Sequence, residues 1–258
     1  MSFRAAFYYT GPCLLRWVCT KHFEISLLES MESVLGKCRE CFTRARRPEE
    51  IAQRREEIVL AAAALLDQQP LDAISLNAIA REAGIAKSAV YRYFESREAI
   101  FLKILEGDWR RWVADARSAL TPLAGSNDVE AVAKALTSTT LEYPRMCWLV
   151  SALASVLEHN LSEDAILAFK QESLQLGLQL VANLHAALPA IDAARLADFL
   201  QPAFALIAGL WPLSHPSEPV ARVMTRPEFA PFQPNFAVHF ERTLCMTLKG
   251  LMQESVGA

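Results

Sequence analysis

Residues Ser75–Ile100 read SLNAIAREAGIAKSAVYRYFESREAI, and they encode two helices meeting at a glycine, followed by the start of a third. Ser75 is a natural N-cap, because its hydroxyl can accept a hydrogen bond from a free N–H of the first helical turn. Leu76, Ile79, Ala80 and Ala83 then recur at i, i+3, i+4 and i+7, which is one face of a helix. Gly84 ends it, since glycine tolerates the left-handed backbone that closes a helix. A short helix is expected from about Lys87 to Phe94, with Ala86, Val90 and Phe94 inward and Lys87, Ser88, Tyr91 and Arg92 outward. Ser96 caps the next helix, which runs to about Leu120, with Glu98 in its first turn and Ile100, Phe101, Ile104 and Leu105 on its apolar side.

Working outward, Pro48-Glu49-Glu50 has the proline and acids of a helix first turn, and Ile51, Ile58, Ala62 and Leu65 lie on one face behind it. That helix stops before Gln69-Pro70. Downstream, helices are expected over about 128–142, 145–158, 163–187, 192–212 and 235–252, with a proline-rich break from Trp211 to Asn235. No stretch alternates with a strand's period. The fold class is all-α: an N-terminal three-helix helix-turn-helix domain followed by a larger helical domain. The boundaries are 1–46 for an N-terminal extension, 47–95 for the helix-turn-helix and 96–258 for the rest.

Charge alone does not announce a nucleic-acid partner. The 258 residues carry a formal net charge of −3, and 52% are hydrophobic, ample for a core. Residues 1–47 hold 8 basic and 4 acidic side chains, whereas residues 119–258 hold 8 and 13. The apolar runs Met146–Leu157 and Leu200–Leu213 are too short to span a bilayer, and Gly11-Pro12 and Arg16 interrupt any signal-peptide core. The expectation is a cytoplasmic protein with no membrane partner.

Four of the six cysteines, Cys13, Cys19, Cys38 and Cys41, fall in the first 41 residues. Cys38-x-x-Cys41 is a spacing that tetrahedral zinc ligation tolerates, but the first pair does not repeat it, so no metal site is assigned. The ordinary helical pattern begins downstream of Met31, which makes Met31 a candidate start of translation and residues 1–30 a candidate artefact of start-site choice. Arg39, Arg44, Arg46 and Arg47 read equally as an arm along phosphates or as a solvated basic flank.

The run Ser75-Leu76, Ile79-Ala80, Ala83-Gly84-Ile85-Ala86-Lys87-Ser88, Val90-Tyr91, Tyr93-Phe94, Ser96-Arg97-Glu98 and Ile100 resembles the hallmark of TetR-type bacterial transcriptional regulators, without a gap over about residues 50–105. The resemblance implies that Tyr91, Tyr93 and Arg97 contact backbone phosphates. It places Lys87, Ser88, Ala89 and Arg92 at the major groove, with Arg92 the guanine reader, and Ser75 and Asn77 on the phosphate backbone. Ala86 and Ala89 stand where polar residues are common in the family, so readout there is expected to be apolar.

The resemblance also implies a homodimer on a palindromic double-stranded operator, released by a small-molecule effector. Phe199, Ala203, Phe204 and Ile207 form a stripe in one late helix, and Phe236, Phe240, Leu244 and Leu248 form one in the last. These stripes suit either a four-helix dimer seam or internal core, and the family favours the seam. An effector cavity is expected among Trp109, Trp112, Met146, Cys147, Trp148 and Phe169, with Glu172 as a polar contact. The contrasting readings are an enzyme or a helical ligand carrier. No Ser/His/Asp arrangement, phosphate-binding glycine loop, paired carboxylates or convincing metal spacing supports an enzyme, and no cofactor is assigned.

Overall fold

The computed structural model describes residues 48–256. The zinc reading at Cys13, Cys19, Cys38 and Cys41, the start at Met31 and the arm at Arg39, Arg44, Arg46 and Arg47 lie outside the described residues. Ten α-helices and no strand are found among the described residues.

Helix α1 is Pro48–Leu66, α2 Leu76–Glu82, α3 Lys87–Val90 and α4 Arg97–Leu120. Helix α5 is Val129–Leu141, and α6, Pro144–Ala152, runs on into a π-helical turn at Leu153–Leu157. The remaining helices are α7 Glu163–Ala187, α8 Ala193–Ser214, α9 Glu218–Met224 and α10 Phe236–Val256. Ser75, Ser96, Asp128, Ser162 and Asp192 cap α2, α4, α5, α7 and α8, each side chain accepting from a backbone N–H of the first turn.

Four expectations need correcting. Ile51 is exposed, and the buried face of α1 begins at Ile58 with Ala61, Ala62 and Leu65. Helix α3 ends at Val90, and residues 91–93 follow as turns in which Arg92 N–H reaches Ala89 O and Tyr93 N–H reaches Val90 O. The proline-rich break contains α9, because Pro219 sits in its first turn, where a missing N–H costs nothing. The run Leu200–Leu213, too short by itself to span a bilayer, lies within the expected helix, here Ala193–Ser214. By length and composition α8 alone, of the helices tested, is long and apolar enough to cross a bilayer, and 22% of its apolar window is buried.

Helix α4 is the spine, packing on α1, α5, α6 and α7. Phe101, Leu105, Trp109, Trp112 and Ala116 along it are all buried, and a single core cluster runs from Ile58 in α1 to Leu248 in α10. The helix-turn-helix therefore rests on the same apolar surface as the larger domain.

Candidate nucleic-acid interface and effector core

The turn between α2 and α3 is set by backbone chemistry. Gly84 has φ +66°, its N–H donates to Arg81 O at 3.1 Å, and Ile85 N–H donates to Ala80 O at 2.9 Å. This is a Schellman closure, and it needs the left-handed residue that glycine supplies without strain. A Cβ at Gly84 would meet no atom within 4 Å, so the requirement is conformational rather than steric. Ile79, Ala80, Val90 and Phe94 are buried beneath the turn, and the Arg55 guanidinium of α1 lies 4.6 Å from the Phe94 ring centroid.

This packing leaves Asn77, Lys87, Ser88, Tyr91 and Arg92 exposed together. Tyr91 is 54% exposed. Ser75 is exposed too, with its hydroxyl already accepting from Ala78 N–H at 3.1 Å. Ala86 was expected inward but is exposed, because it is the extended residue preceding α3, and Ala89 is half-buried rather than fully outward.

Two expected phosphate contacts take other roles. Tyr93 is 9% exposed and belongs to the core with Val90 and Phe94, so most of its ring is withheld from DNA. Arg97 is occupied inside the protein: its Nη1 donates to Ile74 O at 2.7 Å, and Nε and Nη2 donate to Glu98 Oε1 at 3.2 and 2.9 Å. It locks the approach to α2 onto the first turn of α4. Glu98, buried at 7%, is the partner that sequence reading passed over, since a first-turn acid needs no other explanation than the helix dipole.

Two polar tethers then join the helix-turn-helix to the larger domain. Glu95, just after the α3 turns, accepts from Ser162 N–H at the start of α7 at 2.9 Å. Arg145 of α6 donates through Nη1 to both oxygens of Asp67, beyond the end of α1, and through Nε and Nη2 to the buried Asp108 of α4. Hydrogen bonding to Asp108 raises the Arg145 pKa further. Arg111 also pairs with Asp108, and Tyr143 donates to Asp115, where burial first and that carboxylate second push the phenol up to about 12.

The expected effector cavity is filled by its own lining. The Trp109 ring lies 4.7 Å from Phe204 and 6.4 Å from Phe169, and Trp112 Nε1 donates to Thr140 Oγ1 at 3.2 Å. The space left among Trp112, Leu180, Phe204 and Phe240 is about 20 Å³, which is room for about one water. Met146 and Cys147 are fully buried, and desolvation pushes the Cys147 thiol up to about 12, so its thiolate is disfavoured at neutral pH. Trp148 is 44% exposed on the opposite side of α6, and Glu172 is paired with Arg110 at 2.5 Å. Among the described residues no group of three or more His, Cys, Asp or Glu is placed to hold a metal ion.

The dimer stripes are likewise corrected. Phe199, Ile207, Phe236, Phe240, Leu244 and Leu248 are each at most 4% exposed within one protomer, and Ala203 and Phe204 are half-buried beside them. They join α8 and α10 to each other and to the core. The opposite faces are outward: Ala205 and Leu213 on α8, Val238 and Met246 on α10.

Residues 58–104 match the family description "bacterial regulatory proteins, tetR family", and residues 106–255 match "Tetracyclin repressor-like, C-terminal domain". The chain belongs to the TetR family. It is a ligand-responsive, DNA-binding transcriptional regulator, with the all-α architecture of TetR regulators. The two matches meet inside α4, so this helix serves both parts. The fold is shared with a TetR-family transcriptional regulator from Streptomyces coelicolor, at 20% identity and TM-score 0.51 over 77% of this chain and 99% of that one. A possible TetR-family regulator from Streptomyces coelicolor A3(2) is similar at 19% identity and TM-score 0.51, over 77% and 98%. No curated protein matches the chain.

Proposed function

We propose that the protein is a homodimeric repressor, released from a palindromic operator by a small-molecule effector. The observation that carries this reading is the joint exposure of Lys87, Ser88, Tyr91 and Arg92 on a short helix pinned by the Gly84 turn. Lys87 and Tyr91 suit phosphates, Arg92 suits the acceptors of guanine, and Ser88 suits either. Asn77 and Ser75, at the start of α2, suit the backbone as well. One such unit covers a half-site, and two related by a twofold axis meet successive major grooves about 34 Å apart.

The outward faces of α8 and α10 supply the twofold seam in this proposal. Small residues such as Ala205 allow close helix approach, while Leu213, Val238 and Met246 are apolar groups that a partner can cover. The exposed apolar surface of α8 is thus read as a subunit contact of a cytoplasmic, non-enzymatic regulator. An effector acts only through unequal affinity for the two spacings of the reading helices. The Arg145–Asp67 and Glu95–Ser162 tethers are the polar links able to carry that difference to α1 and α3.

Gel-shift with DNA flanking the protein's own gene tests the proposal. A retarded band that is lost in Arg92→Ala supports it. Failure to retard that DNA or any footprinted genomic fragment refutes it.

A further inference from the structure

An open groove lies where the helix-turn-helix meets the larger domain, away from the packed aromatic core. It holds about 600 Å³, within the roughly 300–1,000 Å³ that suits drug-sized ligands. One wall is the link between α1 and α2, with Leu66 and Leu71, and the other is α6 with its π turn, with Trp148 and Val156. Trp148 meets the His215 ring in a T-shaped contact, 6.1 Å between centroids, and still leaves 44% of its surface exposed.

The charges around this groove are one-sided. Among the described residues Arg145 is its only lining cation, and all of its nitrogens are already directed at Asp67 and Asp108. Asp72 lines the groove with an exposed carboxylate that has no hydrogen bond or ion pair among the described residues. Counting the adjoining network, Asp67, Asp72 and Asp108 face Arg145 and Arg111, so negative charge is in excess. The other polar lining groups, Gln68, Gln69 and Ser155 among them, are uncharged. An anion finds no free cation here. A ring-bearing cation finds an apolar wall, an indole face for a cation–π contact and an unpaired carboxylate.

From this charge complementarity we infer that the groove binds lipophilic organic monocations. Because both domains contribute walls, the occupant touches the α1–α2 link beside Asp67 and the π turn of α6 at once. The inference concerns binding alone and stands without the operator reading, although such a ligand would be an effector of the proposed repressor.

The test is calorimetric titration of the purified full-length chain, without DNA, using tetraphenylphosphonium and its anionic isostere tetraphenylborate. Saturable tetraphenylphosphonium binding is expected, with tetraphenylborate about tenfold weaker or more. Trp148→Leu and Asp72→Asn should each weaken tetraphenylphosphonium by about threefold to tenfold. Ser155→Trp, which fills the groove from an exposed position, should abolish binding while circular dichroism shows unchanged helicity. Equal or tighter tetraphenylborate binding overturns the inference, as does the absence of saturable tetraphenylphosphonium binding. Unchanged tetraphenylphosphonium affinity in both Asp72→Asn and Ser155→Trp overturns it too. Loss of operator binding in the gel-shift leaves these outcomes unaffected, so the two readings fail separately.

Discussion

Arg145 holds Asp67 through both carboxylate oxygens, at 2.8 and 2.9 Å, while the same guanidinium grips Asp108 at 2.7 and 2.8 Å. One side chain of α6 thereby bridges an exposed acid next to α1 and a buried acid of α4. The Asp67 side chain is 56% exposed and that of Asp108 3%, so the two halves of the bridge differ in energy. Arg145→Ala strands a buried carboxylate with only the exposed Arg111 as partner and should cost about 2–3 kcal/mol. Asp67→Ala should cost less than about 1 kcal/mol. Thermal unfolding of both variants checks this, and equal losses would show that the buried half carries no special weight.

Asp67→Ala should nevertheless change regulation. Removing the link between α6 and the end of α1 lowers the coupling between effector and operator without greatly lowering either affinity alone. Operator titrations with and without effector measure that coupling, and an unaltered ratio of the two affinities would exclude the tether from the pathway.

The alkaline limb of stability is set in part by Cys147. Its thiol is held up to about 12 by burial, against an ordinary value of 9.0. Because the folded value is the higher one, the contribution is fully present below pH 9 and is lost as pH rises from there toward 12. The slope from this group reaches about 1.4 kcal/mol per pH unit. Cys147→Ser should flatten that limb. Alkylation of the native protein at pH 8, read peptide by peptide, should leave Cys147 unlabelled until the chain is unfolded.

Gly84→Ala should destabilise by about 1–2 kcal/mol, because the strain lies in φ +66° and not in crowding. A chain of this size should then melt about 2–8 °C lower. Gly84→Asn, which tolerates the left-handed region better, should recover part of the loss in the same melting experiment.

On DNA, three variants separate three kinds of contact. Lys87→Ala should lower the salt slope of operator binding by about 1. Tyr91→Ala should weaken all sequences alike and leave that slope nearly unchanged, since a hydroxyl releases no counterion. Arg92→Ala should relax preference at one operator position, at about 1–3 kcal/mol if its contact is bidentate. Competition gel-shifts across salt and sequence distinguish them, and an unaltered preference in Arg92→Ala would remove it as a base reader.

Helix boundaries were legible because they depend on local chemistry. Ser75, Ser96 and Ser162 cap helices wherever they precede an apolar stripe, and Gly84 closes α2 whatever lies beyond it. Helix α9 was hidden, since Pro219 and its proline neighbours carry the same letters in a helix first turn as in a loop. Arg97 looked like a phosphate ligand because nothing in the sequence shows that Ile74 O lies 2.7 Å from its guanidinium.

The amino-acid sequence by itself determined an all-α chain, the helix-turn-helix and the outward Lys87, Ser88, Tyr91 and Arg92. Each follows from spacing along one helix or across one tight turn. Tertiary structure alone decided which apolar stripes are core, that the tryptophan cluster closes on itself, and that the open groove lies at the α1–α2 link. A periodic stripe records that a helix face is covered, but its partner comes from distant residues and leaves no local mark. Phe240 and Met246 are both apolar residues of α10, and only packing buries the first to 2% and leaves the second 64% exposed.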